Sequence, residues 1–120
     1  MKNRIRFISH KHKKVLLVDG SGCSVEQLEE LVALVPPRVT AEPRASVLLL
    51  ADFTGAHIDK KSLEFIKPAL VLDRPHLKRS AWVGTEGLPK IFHEHMKNFS
   101  QRELPTFKTR EEALDWLVED

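Results

Sequence analysis

A mixed α/β domain with a mostly parallel central sheet is the fold class this sequence predicts, on three observations. Short apolar runs at Val15–Val18, Val47–Leu50 and Ala81–Val83 each end in an acidic or glycine-containing loop. Segments with apolar residues at helical spacing follow them, and capping residues stand at the joins. The chain has 120 residues, a length that suits one continuous core, so a single domain over residues 1–120 is expected.

The elements follow in order. Ile5 and Phe7 face Val15–Val18 across the basic patch His10–Lys14, the pattern of a hairpin with a solvated turn. Ser24 with Gln27 forms a capping box, and Val25, Leu28, Leu31, Val32 and Val35 recur as one helical stripe. Pro36 and Pro37 are expected to stop that helix. Val47–Leu50 is apolar throughout, as in a central strand covered on both faces. Asp59 caps a second helix bearing Leu63, Ile66, Ala69 and Leu70, which Pro68 is expected to kink or divide. Ala81–Val83 forms the next strand, and Leu88, Ile91, Phe92, His95, Met96 and Phe99 mark a third helix. Leu104–Phe107 makes an edge strand, because Pro105 lacks an N–H for a central ladder. Thr109 and Glu112 open the final helix, which buries Ala113, Leu114, Trp116 and Leu117. The resulting ββαβαβαβα order gives about five strands, with an N-terminal antiparallel hairpin and four flanking helices, and shows no internal repeat.

Composition narrows the function classes. Hydrophobic residues make up 42% and charged residues 30% of the chain, an ordinary globular balance. A net charge of +2 gives little general attraction for nucleic acid, and the basic hairpin carries few aromatics for stacking. Its lysines fit better as guards of an edge strand. Charge is nonetheless polarised, because Glu111, Glu112, Asp115, Glu119 and Asp120 make the C-terminal end acidic. Cys23 is the sole cysteine, which excludes an intramolecular disulfide and a cysteine zinc set. The Val15–Val18 run is too short for a signal-peptide core or a bilayer span, so a cytoplasmic location is expected.

Three loops gather at the carboxyl ends of the strands, Gly20–Ser24, Asp52–Asp59 and Gly84–Pro89, where open α/β sheets build ligand and partner surfaces. Leu50-Ala-Asp-Phe-Thr-Gly-Ala-His-Ile-Asp59, Lys78-Arg-Ser-Ala-Trp-Val-Gly84 and Phe107-Lys-Thr-Arg-Glu-Glu-Ala-Leu-Asp-Trp-Leu117 resemble the STAS-domain superfamily, most closely its small bacterial SpoIIAA-like proteins. The resemblance implies a sheet flanked by helices and a binding role without catalysis. In the anti-sigma-factor antagonists of that superfamily, the helix after the central strand opens with Asp-Ser, whose serine is phosphorylated. The matching pair here is Asp59-Lys60, so the helix-opening aspartate carries over and the phosphoacceptor does not. Ser62 lies one turn further in, outside that motif's register.

The residues fit other chemistries less well. A receiver-like reading of Asp19 and Asp52 lacks the acidic pair and a suitably placed Lys-Pro, whereas both aspartates suit the capping of loop amides. Gly84–Gly87 with Lys90 could cradle an anion, although the glycines also serve a turn. His93 and His95 stand about 200° apart round a helix, so they cannot share a metal. Cys23 near a helix start, with His57 in a neighbouring loop, is the weaker enzymatic option. The expectation is therefore a non-enzymatic STAS-like binding or regulatory module without cofactor or metal, acting on a protein partner or small ligand. Its candidate residues are Asp52, Phe53, Thr54, Gly55, Asp59, Lys60 and Ser62, with Gly84, Thr85, Gly87 and Lys90. The alternative is a carrier of a small anionic or amphipathic, lipid-like ligand, using Gly84–Lys90 and a groove beside the Pro68 helix.

Overall fold

The computed structural model describes residues 2–86, 94 and 105–119. Five strands lie side by side in chain order: β1 (Ile5–His10), β2 (Lys13–Asp19), β3 (Val47–Asp52), β4 (Leu77–Val83) and β5 (Thr106–Phe107). β1 and β2 pair antiparallel, and every later neighbour pairs parallel. The helices of the described residues are α1 (Val25–Ala33), α2 (Val35–Thr40), α3 (Ser62–Asp73) and α4 (Arg110–Leu117). Apart from Glu94, the residues of the helix expected around Leu88–Phe99, His93 and His95 among them, lie outside the described residues, as do Gly87 and Lys90.

Side chains of β2 and β3 alternate between two covered faces, which explains why whole apolar runs are buried. Leu16, Val18, Leu49 and Ala51 join a core that includes Leu28, Leu31, Val35 and Ile66 from α1, α2 and α3. Val15, Leu17, Leu48 and Leu50 join a second core closed by Ala113 and Leu117 of α4. β4 begins at Leu77, earlier than the apolar run suggests. Its polar start is paired: the Arg79 guanidinium lies 5.3 Å from the Trp116 ring centroid and donates to Trp116 O at 2.9 Å.

Two proline expectations change. Pro36 and Pro37 follow the end of α1 but sit in the first turn of α2, where a missing N–H removes no helical bond. Pro68 does not divide α3, which runs continuously from Ser62 to Asp73. Pro68 and Glu64 are both exposed, so the carbonyl deprived of its donor can face water. The caps at Ser24 and Thr109 form as expected: Ser24 Oγ accepts from Gln27 N at 3.2 Å, and Thr109 Oγ1 accepts from Glu112 N at 3.2 Å.

The basic hairpin docks on the acidic end of α4. Its turn is the residue pair Lys11-His12, both in the left-handed region with φ 49° and 68°, which suits a two-residue turn to the right-handed twist of the strands it joins. His10 Nε2 and Lys11 Nζ lie 2.7 and 3.1 Å from Asp115 Oδ1, and Lys13 Nζ donates to Val118 O at 2.9 Å. Hydrogen bonds from His10 and then Lys11 hold the Asp115 carboxyl below its usual range.

A cavity of about 60 Å³ remains between the sheet and α1–α3, with Asp73 in its lining. Asp73 is 3% exposed, and its Oδ1 is the one buried side-chain oxygen or nitrogen without a hydrogen-bond partner among the described residues. Burial pushes its carboxyl up to about 7. A folded-state value above the unfolded one means that its stability contribution is complete below about pH 4 and is lost as pH rises through about 7. Asp73→Asn should therefore unfold at higher denaturant than wild type at about pH 8, with a gap that narrows towards pH 4 by at most about 1.4 kcal/mol per pH unit. A pH-independent gap in urea titrations would refute this assignment.

Glycine positions offer a second check. Gly84 has φ +77°, and a Cβ there would collide with the backbone N and Oγ1 of Thr54. Gly22 has φ +66° with open space around it. Gly22→Ala should cost only the left-handed strain of about 1–2 kcal/mol, and Gly84→Ala distinctly more, in equilibrium denaturation. Equal losses would mean that the Gly84–Thr54 approach does not constrain the fold.

Candidate functional site

Asp19 and Asp52 end neighbouring parallel strands and are directly paired in register. By the two-residue period, Val15, Leu17 and Asp19 share a face, as do Leu48, Leu50 and Asp52, and that face is the one α4 covers. The fold thus drives two carboxylates towards an apolar layer, where unpaired charge is costly. Arg110, the first residue of α4, meets them both. Its Nε donates to Asp52 Oδ2 at 2.7 Å, and its Nη2 lies 3.0 Å from Asp19 Oδ1.

The other carboxylate contacts shape the loops. Asp52 Oδ1 accepts from Thr54 N at 2.9 Å and from Thr54 Oγ1 at 2.6 Å. Asp19 Oδ1 accepts from Ser21 N at 3.1 Å and from Ser21 Oγ at 2.5 Å. The two strand ends, Asp19-Gly-Ser-Gly22 and Asp52-Phe-Thr-Gly55, therefore make the same turn, each closing on a positive-φ glycine. Burial acts to raise the Asp19 carboxyl, but the Ser21 hydroxyl and N–H, together with the Arg110 charge, outweigh it and hold the group below its usual range. For Arg110, burial opposes the charge, and the Asp52 and Asp19 carboxylates more than compensate, raising its pKa.

Main-chain bonds then lash the loops to one another. Gly20 N donates to Asp52 O, Gly22 N to Thr54 O and Phe53 N to Val83 O, each at 2.8 Å. His57 N donates to Cys23 O at 2.9 Å, and Arg4 Nη1 donates to Ser21 O at 2.8 Å. Gly20 has no room for a Cβ, which would stand 2.9 Å from Asp52 O. What faces solvent on this framework is a continuous strip of Thr54, Gly55, His57, Asp59, Lys60 and Lys61.

The expected site residues divide into two groups. Thr54, Gly55, Asp59 and Lys60 are exposed, and half-buried Gly84 and Thr85 adjoin them through the Gly84–Thr54 contact. Asp52, Phe53 and Ser62 are buried supports. Phe53 packs edge-on to Trp82 with ring centroids 5.0 Å apart. Asp59 was expected to cap α3, but Lys61 stands at its N-cap with no side-chain cap bond; Asp59 instead braces the fully buried Ser62, whose N donates to Asp59 Oδ1 at 3.0 Å and whose Oγ accepts from Asp59 N at 3.1 Å. Cys23 is also fully buried, and burial pushes its thiol up, with Arg4 opposing and Asp19 adding to the shift. The main chain brings Cys23 and His57 together, but the thiol lies inside the core and His57 is exposed.

Arg110, Arg4 and Ser21 belong to the site beyond the residues expected from sequence, the two arginines by tertiary contact and Ser21 by its hydroxyl bond to Asp19. The available signal was the repeated Asp-x-Ser/Thr-Gly pattern, with both aspartates in phase with buried positions. Such a pair calls for a cation.

No protein-family profile matches the chain, and no curated protein matches it. A crystal structure of an uncharacterised protein of the DUF3478 family from Shewanella loihica PV-4, described as having a SpoIIAA-like fold, superposes with a TM-score of 0.73 at 19% identity. The match covers 95% of this chain and 92% of that one. This chain therefore has the SpoIIAA-like α/β fold that its motifs resemble, and at that identity the likeness concerns fold alone.

Replacing Arg110 with Met would leave Asp52, with a side chain 6% exposed, without its cationic partner. We expect a loss of about 3 kcal/mol in urea denaturation at neutral pH, the scale for breaking one side of a buried ion pair. The lowered Asp19 value stabilises the fold above about pH 4 and is lost on acidification, so the penalty should shrink as pH falls below 4. A loss under about 0.5 kcal/mol would class the contact with ordinary surface pairs.

Proposed function

We propose that this chain is a non-enzymatic, cytoplasmic binding or regulatory module that engages a protein partner or small ligand through the Thr54–Lys61 strip. The observation that carries the reading is the condition of the strand-end carboxylates. Both Asp52 oxygens accept hydrogen bonds, and Asp19 Oδ1 is shared between Ser21 and Arg110, so these groups hold loops in place. A preformed exposed loop on a rigid sheet loses little entropy on binding, which favours recognition.

Regulation would not use the superfamily's serine switch. Lys60 occupies the acceptor position, and the Ser62 hydroxyl is enclosed. Occupancy of the strip by its partner would itself be the signal. The second reading, a carrier of a small ligand, draws support from the apolar cavity beneath α1–α3.

Native mass spectrometry of the chain purified from its own host distinguishes the two. A retained protein supports the module if the double exchange Lys60→Glu, Lys61→Glu weakens retention at least about tenfold while stability stays within about 0.5 kcal/mol. A co-purifying small mass that survives the exchange would instead favour the carrier.

A further inference from the structure

We propose that the cavity between the sheet and α1–α3 is a binding site for a small apolar amine, held by an ion pair between its ammonium group and the Asp73 carboxylate. The site is separate from the Thr54–Lys61 strip; it deepens the small-ligand reading of the same cavity by naming the ligand's chemistry, and the binding test below stands whether or not the chain acts as a carrier. Two independent observations meet there. The first is the cavity, about 60 Å³ and partly open, lined almost wholly by apolar side chains from Leu28 on α1, Ile66 and Leu70 on α3, and Leu49 and Leu77 on the sheet. The second is Asp73 in that lining, with a buried Oδ1 lacking any partner.

Charge decides the ligand class. Elsewhere the described chain satisfies its buried carboxylate: Asp52 has Arg110 and Thr54. Among the described residues Asp73 Oδ1 has no such counterpart, and burial pushes its carboxyl up. An anion entering the cavity would meet a like charge wherever Asp73 is ionised, which disfavours a carboxylate or phosphate head above about pH 7. A neutral hydrocarbon would leave the oxygen unsatisfied. An amine supplies the missing donor and the missing charge together, and its alkyl portion replaces water along the apolar wall. The small volume sets the scale at a short chain or single ring, well below a membrane lipid.

The test is a titration of the isotope-labelled chain at pH 8 with pentylamine, 1-pentanol and pentanoate, followed by amide shifts and the Asp73 carboxyl ¹³C shift. Pentylamine should move the amides of Leu28, Ile66 and Leu77 together with the Asp73 carboxyl signal, and pentanoate should move neither. In Asp73→Asn, which keeps the side-chain shape, pentylamine should bind about tenfold more weakly, while 1-pentanol changes less than about twofold. Three results would each overturn the proposal: binding of pentanoate as tight as that of pentylamine, the same change for amine and alcohol in the variant, or no shift among lining residues up to on the order of 10 mM pentylamine. The wild-type comparison of amine with pentanoate stands even if the variant fails to fold.

Discussion

Two aspartates at the ends of β2 and β3 project towards an apolar layer, and one guanidinium at the start of α4 reconciles them with it. Water cannot solvate Asp52 adequately at that depth, so the fold needs a cation that arrives with a fixed direction. Arginine suits the task because its planar fork presents several donors, which here diverge to two carboxylates on separate strands. Each carboxylate uses its remaining capacity on the loop that follows it, and those loops are lashed together by main-chain bonds. The clasp thereby links three elements distant in sequence and sets the shape of the candidate recognition surface.

The same helix is fastened at its other end. α4 has eight residues, too few to persist alone in water. Lys13 and Arg79 donate to carbonyls at its C-terminal end, where the helix dipole favours cations, and His10 and Lys11 engage Asp115. The opposed charges of the two chain ends thus form an internal contact. On the opposite face of the sheet the balance differs: α1–α3 cover an apolar cavity, and among the described residues Asp73 Oδ1 has no hydrogen-bond partner. One face resolves its buried charge within the chain, and the other does so only with the proposed amine in place.

Much of this was legible in the sequence because period and capping are local. The all-apolar Val47–Leu50 run marked the central strand, Pro105 marked an edge, and Ser24–Gln27 and Thr109–Glu112 marked helix starts. Position decided the proline cases, since Pro36 and Pro37 disrupt a helix interior but suit its first turn, and an exposed Pro68 leaves its freed carbonyl to solvent. The polar start of β4 was hidden because Lys78 and Arg79 obscure the strand pattern, and only tertiary contact with Trp116 accounts for Arg79. Arg110 was hidden for a related reason. Its sequence neighbourhood reads as an ordinary capped helix, and its partners lie 58 residues away in one case. Of the candidate strip, exposure of Thr54, Gly55, Asp59 and Lys60 agreed with the loop reading, whereas burial of Phe53 and Ser62 depended on packing that no local pattern encodes.

Amide hydrogen exchange in Arg110→Met tests most directly whether the clasp organises the strand-end loops. The account predicts that Gly22, Ala56 and His57, whose N–H groups bond within those loops, lose protection well before Leu17 and Leu50 in the strands beneath. Loop amides that stay as protected relative to the strands as in wild type would contradict it, leaving Arg110 as one more stabilising contact with no role in shaping the surface.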